Sequence, residues 1–350
     1  MPDAIDVRAM RARDSDLVAF KSCFENNGGA RELAALRWQY VENPTRELLV
    51  DLAMSGGQVA AIYAVQPTFA RVDGQHCLAA QSVDTLVDSG FRGRGLFTEL
   101  ASTVYQRVQG QGGAFVYGFP NANSVHGFFN KLGWSSLDPV PFLVRPLRTR
   151  FLASKLPTGR LLTRFPDLRL PIRAPRLRRE QTLRSVTDLG PDYDALWQAF
   201  SADIQVSVDR SAAYMSWRLA KPGETYIRLG VFERGQLSAF CAYKVVEKHG
   251  GRIGYVLELL HEPRDDATGV ALLRAALGAM ATDGADAVLG WSFRHSPNYE
   301  AYAKAGFLPL PPRLRPIELH FGVRPLNESL GPMLRDRSNW YVSYCDSDTV

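Results

Sequence analysis

The sequence predicts two mixed α/β domains in tandem, and three observations carry that expectation. The chain has 350 residues, too many for one small domain and comfortable for two. Residues 83–100 read as a strand, a tight glycine-containing turn and then a helix. Three landmarks of the first half recur in the second, in one order and at near-equal spacing.

The elements follow from residue type. Val50–Ala53, Val59–Ala64 and Gln81–Val87 are β-branched or apolar runs between glycine-rich breaks, which predicts strands. Thr98–Val108 carries apolar residues at helical spacing, and Ala114–Phe119 predicts the next strand. The second half repeats the order, with strands at Ile227–Phe232, Leu237–Val246 and Arg252–Leu259, a helix at Ala267–Ala281 and a strand at Ala287–Ser292. The landmarks are Trp38 before Pro44 against Trp217 before Pro222, Gly57–Ile62 against Gly235–Phe240, and Phe129–Trp134 against Tyr302–Phe307. Trp38 to Gly133 spans 95 residues and Trp217 to Gly306 spans 89, so duplication is the economical explanation.

The turn at Asp88–Phe97 sits where a helix begins, so its backbone N–H groups lack intrahelical partners and face the positive end of the helix dipole. Arg92, Gly93, Arg94, Gly95, Leu96 and Phe97 therefore form a candidate anion cradle, suited to the pyrophosphate of a coenzyme. The second half does not repeat it. After its third strand come Glu262, Asp265 and Asp266, negative charge where a pyrophosphate would sit, so this half is expected to bind no coenzyme.

A hydrophobic content of 46% with 22% charged residues suits a soluble globular protein, and no apolar run reaches the 18 residues of a membrane-spanning helix. The first six residues lack the basic and apolar regions of a signal peptide. Cys23, Cys77, Cys241 and Cys345 are scattered, as expected of thiols in a reducing, cytoplasmic setting. The six histidines form no ligand pattern, so no metal is expected. The net charge of +5 is uneven: Arg145 to Glu180 holds eleven cations against Asp167 and Glu180, and the remainder is net negative. No general nucleic-acid surface is expected. The basic segment 145–184 reads first as a linker, because its prolines break any long helix, and second as a peripheral contact with anionic lipid.

Arg92-x-x-Gly95, followed downstream by Asn123–Trp134 ending in Lys131-Leu132-Gly133-Trp134, resembles the GNAT acyltransferases. The resemblance implies a tandem GNAT fold, with an active domain over 1–144, the linker 145–184, a degenerate domain over 185–325 and a tail 326–350 packed on the body. It implies acetyl-CoA as co-substrate and transfer of its acyl group to a small-molecule primary amine, an amino sugar being the leading acceptor. The signature's last small residue is Phe97 here. The position that is Tyr in many members, where it protonates the leaving thiolate, is Phe129, which has no proton to give.

Direct acyl transfer needs a neutral amine, a polarised carbonyl and a proton for the thiolate. Asp84, a carboxylate within an apolar strand, is the candidate base, with a bond to a neighbouring element as the equal alternative. Strand alternation places Ser82, Asp84 and Leu86 on one face. Tyr117 and His126 are the candidate acids, and Tyr105 reads as a core or surface residue. The resemblance assigns carbonyl polarisation to the backbone near Leu86 and Val87, and contacts with the pantetheine arm to Asn121 and Asn123. Asp346 and Asp348 of the aromatic tail are further carboxylates for an amine to face. Two rivals stand beside this reading: a FemX-like aminoacyl-tRNA-dependent transferase, a family without this turn, and a non-catalytic scaffold.

Overall fold

The first half opens with β1 (Asp6–Ala9), α1 (Asp14–Asn26) and α2 (Leu33–Tyr40). An antiparallel meander of β2 (Leu49–Ser55), β3 (Gln58–Val72) and β4 (Gln75–Val87) follows. The chain then crosses through α3 (Leu96–Gly110) to β5 (Gly113–Gly118), parallel to β4. A π-helical turn at Gly127–Lys131 leads to β6 (Ser135–Ser136) and β7 (Phe142–Pro146).

The second half starts with β8 (Gln181–Ser185), α4 (Pro191–Phe200), β9 (Val206–Val208) and α5 (Ala212–Arg218). The same series then recurs: β10 (Ile227–Glu233), β11 (Gln236–Lys248), β12 (Gly251–His261), α6 (Asp266–Thr282), β13 (Ala287–Trp291), α7 (Tyr299–Lys304), β14 (Leu308–Pro309) and β15 (Gly322–Pro325). A short α8 (Gly331–Leu334) precedes the terminal segment. Every strand and helix expected above is present, most extended by a few residues. This computed structural model describes residues 4–151, 166–315 and 317–349, so Lys155, Arg160 and Arg164 of the basic segment lie outside the described residues.

Two mixed sheets result, and each borrows its partner's last strand. The first runs β1-β2-β3-β4-β5-β15-β6, with β9 added on β3; the second runs β14-β7-β13-β12-β11-β10-β8. β15 lies between β5 and β6, with Val323 opposite Tyr117, and β7 lies between β13 and β14, with Val144 opposite Leu289. The exchange is reciprocal, so sheet membership crosses the sequence boundary between the halves.

α3 is amphipathic and buries Leu96, Leu100, Ala101, Val104, Tyr105 and Val108 on the first sheet. α6 buries a longer apolar face on the second sheet, from Val270 to Met280. The largest core cluster joins both halves: Phe115, Tyr117, Phe142, Trp291, Phe321, Trp340 and Tyr344 pack in one body. The described part of the basic segment is tied to the second half where Arg178 bridges Glu233 and Asp265 and Arg148 reaches Asp286 at 3.8 Å. It is tied to itself where Arg148 pairs with Asp167 and Arg145 donates to the Pro171 carbonyl.

The two landmark tryptophans meet across the approximate two-fold relation. Trp38 and Trp217 stack with ring centroids 4.5 Å apart, and each indole N–H donates to the other's carbonyl, at 2.9 and 3.0 Å. Truncating either removes aromatic burial and leaves a carbonyl unpaired. Trp38→Ala and Trp217→Ala are each expected to lower the unfolding free energy by about 3 kcal/mol in urea titrations. The double variant should lose less than the sum, because both single changes remove the same stack.

Candidate active site

The turn after β4 has the geometry of an anion cradle. Asp88 accepts from the Gly90 N–H and from Asn27 at 2.9 Å each, which pins the turn to the end of α1; these two bonds hold its carboxyl below the ordinary range. Gly93 and Gly95 adopt φ of +79° and +80°, a left-handed conformation that costs other residues about 1–2 kcal/mol. A Cβ on either would meet no atom within 4 Å, so open space lies over both. Gly95 begins α3 without a side-chain cap, which leaves the Leu96 and Phe97 N–H groups without intrahelical acceptors. Arg92 and Arg94 stand exposed beside them, Arg94 resting 4.9 Å over the Phe91 ring. The Phe97 side chain turns away from the cradle and packs on Tyr63 and Phe128, against Gly127.

Behind the turn the sheet opens. β4 and β5 pair from Leu78 to Ser82, whose partner is Gly118, and then part. β4 continues through Val87 paired only with β3, so the backbone of residues 83–87, Leu86 and Val87 included, lines a cleft on the side β5 has left. A bulge marks the same place: Val65 faces Ser82 whereas Tyr63 faces Thr85, which inserts one residue into β4. The bulge breaks the expected alternation. Ser82 bonds Tyr63 at 3.1 Å on the α3 side, whereas Asp84 turns to α2 on the opposite layer.

Asp84 is buried, accepts from Tyr40 Oη at 2.7 Å and pairs with Arg31. Both of its oxygens are engaged, so the carboxylate anchors the bulge to α2. Beside it a narrow pocket lies between the halves, lined by Arg31, Gln39, Gln66, Gln81, Lys221 and Asp348 among others. Burial and the neighbouring Arg218 push Lys221 down to about 8. The tail carboxylates separate. Asp348 lines this pocket and keeps exposed surface, whereas Asp346 is buried on Arg210.

The remaining sequence candidates are dispersed. Tyr117 is fully buried among Phe115, Phe119 and Trp340, with its hydroxyl 3.5 Å from Gln81, and burial pushes its pKa well up. His126 is exposed and bonds Asn130 at 2.8 Å. Asn121 folds its own loop by accepting from the Asn123 N–H, and Asn123 is exposed beyond it. Sequence reasoning passed over Ser82 and Tyr63, which the structure joins to Tyr105 and Trp134 beneath the cleft. The one signal in the sequence was polar aromatics within apolar strand and helix faces.

The second half has the same bulge and a filled cleft. β12 pairs with β13 as far as Tyr255, opposite Leu289, and inserts one residue between Val256 and Glu258. The terminal segment fills the opening. Glu258 is fully buried with Arg210, Tyr341 and Ser343, and Arg210 also holds Asp346. Asn298 donates to the Leu259 carbonyl at 2.9 Å, satisfying backbone that the first half leaves open. Asp265 caps α6 by accepting from Thr268, so the anion position at that helix carries the chain's own carboxylate. Burial holds the Asp346 carboxyl above its ordinary range despite Arg210. Arg210→Met would strand two buried acids and is expected to cost about 3–5 kcal/mol, read as a fall in urea midpoint at pH 7.

The Acetyltransferase (GNAT) domain family matches residues 7–137, which contain the cleft and the turn. No curated protein matches the chain by sequence. Among solved structures, Saccharomyces cerevisiae N-myristoyltransferase with bound myristoyl-CoA superposes with a TM-score of 0.61 at 12% identity, over 92% of this chain and 84% of that one. A GCN5-related N-acetyltransferase from Anabaena variabilis gives 0.63 at 12% identity, over 91% and 72%. A tandem GNAT protein from the clavulanic acid biosynthesis pathway gives 0.56 at 12% identity, over 92% and 98%. These likenesses show a fold shared with two-domain GNAT structures across both halves, and residues 7–137 match the acetyltransferase (GNAT) domain family.

Proposed function

We propose that the chain transfers an acetyl group from acetyl-CoA to a primary amine, with the co-substrate bound by the first half only. One observation carries the reading: β4 parts from β5 immediately before an uncapped glycine turn, while the equivalent opening in the second half is filled by the chain itself. The N–H groups of residues 92–97, with Arg92 and Arg94, suit a pyrophosphate. The free edge at Leu86 and Val87 suits the amide-bearing pantetheine arm, and the Val87 N–H, which points away from β3, suits a thioester oxygen as it gains charge. Exposed Asn123, at the far wall, offers an amide to the same arm.

The acceptor enters the pocket between the halves. Its amide side chains Gln39 and Gln66 suit a hydroxylated amine, which favours an amino sugar. Asp84 holds the bulge through Arg31 and Tyr40, and the open carboxylate of Asp348 takes the proton from the attacking amine. No covalent enzyme intermediate is needed. The four free cysteines suit a reducing compartment, which supports a cytoplasmic setting for the reaction.

Calorimetry with acetyl-CoA and a thiol-release screen over amines and amino sugars test the reading. One binding event per chain is expected. Gly95→Val should weaken it at least tenfold, because a branched side chain strains the left-handed turn and fills the cradle. Asp348→Asn should leave acetyl-CoA affinity within twofold and lower kcat by about 10²-fold. Normal acetyl-CoA affinity in Gly95→Val would sink the single-site assignment.

A further inference from the structure

Four side chains form one hydrogen-bonded chain beneath the point where β4 leaves β5. Trp134 Nε1 is 3.0 Å from Tyr105 Oη, Tyr105 Oη is 2.5 Å from Tyr63 Oη, and Tyr63 Oη is 3.1 Å from Ser82 Oγ. Trp134, Tyr105 and Tyr63 are all buried, and Ser82 is half-buried at the mouth of the cleft. An indole N–H can only donate, so Tyr105 accepts from Trp134, while either hydroxyl can be the donor in the Tyr105–Tyr63 and Tyr63–Ser82 pairs. The arrangement used for catalysis is the one in which Tyr105 donates to Tyr63 and Tyr63 to Ser82. It leaves the Ser82 proton without an acceptor in this chain of four side chains. Its bearer is also the member open to the cleft.

Ser82 is the last β4 residue paired to β5, opposite Gly118. It therefore sits at the inner end of the free edge, where the arm of the co-substrate ends and the reacting sulfur must lie. The π-helical turn across the cleft offers Phe129, which has no proton. Burial pushes Tyr63 and Tyr105 well above the ordinary phenol range, so both remain protonated donors across the working pH. Hydrogen bonds in series polarise one another, which strengthens the donor at the open end.

We propose that Ser82 is the proton donor to the leaving thiolate, with Tyr63, Tyr105 and Trp134 as positioning residues; this rests on the acyl-transfer reading above. The amine nitrogen forms the new C–N bond, and the C–S bond breaks with its electron pair passing to sulfur. Ser82 Oγ–H gives its proton to that sulfur. The charge left on Ser82 Oγ is held by the Tyr63 O–H until water entering behind the departing thiol returns a proton. The proton released by the amine passes to the base and then to solvent, so the sum is amine plus thioester giving amide plus thiol.

Single-turnover acyl transfer in H2O and D2O tests this, with acetyl-CoA prebound and the best amine from the screen. Ser82→Ala should lower the transfer rate about 10²-fold and abolish the wild-type solvent isotope effect, with acetyl-CoA affinity within threefold. Ser82→Thr, which keeps a hydroxyl, should recover most of the rate. Tyr63→Phe should lose severalfold while retaining the isotope effect, because the donor remains and only its orientation suffers. A Ser82→Ala variant at the wild-type rate overturns the proposal, as does a slowed variant with an unchanged isotope effect. A wild-type chain that releases no thiol with any amine overturns the acyl-transfer reading and this proposal together.

Discussion

The exchange of terminal strands is the constraint from which the rest of the structure follows. β15 fills the place between β5 and β6, and β7 fills the place between β13 and β14. Neither sheet is complete within its own half, so backbone hydrogen bonds do the joining that a surface contact would otherwise have to do. β5 is one wall of the cleft, and the strand that props it comes from residues 322–325. The first half is thus built partly from the other half, and the stacked pair Trp38 and Trp217 joins the two.

Within that frame the two copies differ by what enters the same bulge-and-part geometry. In the first, residues 83–87 face open space and the helix beyond begins uncapped. In the second, a buried arginine, two acids and three aromatic residues of the terminal segment occupy the opening. A buried arginine between two carboxylates is costly to desolvate and costly to break. Once evolved, such a plug is hard to lose by single substitutions, since each leaves a charge stranded. Asymmetry between the copies is therefore maintained by energetics as well as by the absence of a glycine turn.

The repeat and its elements were legible because local residue type decides them. Apolar runs between glycines gave strands, and Trp38 and Trp217 gave the register of the duplication. The turn at Arg92–Phe97 was legible because positive φ selects glycine. Strand exchange was not: Phe142–Pro146 carries no strand expectation, its last two residues fall in the expected linker, and nothing in its sequence names β13 as its neighbour. The face of Ser82 was misassigned because alternation assumes an unbroken ladder, and one bulge residue separates Ser82 from Asp84. Asp84 stood equally as base or anchor on sequence grounds. Its partners, Arg31 and Tyr40, lie 53 and 44 residues away and become visible only once α2 packs on β4.

Strand exchange also sets an order of events during synthesis. Domains form from the N-terminus as the chain emerges, but β5 has no neighbour on its outer edge until residues 322–325 leave the ribosome. Through most of translation the first sheet carries an open edge at a strand whose six residues are all buried in the finished fold, the condition that favours pairing with another chain. The same holds for any fragment ending near residue 137, where the family match stops. Each sheet takes a strand from the other repeat, so the two repeats depend on each other to close their sheets.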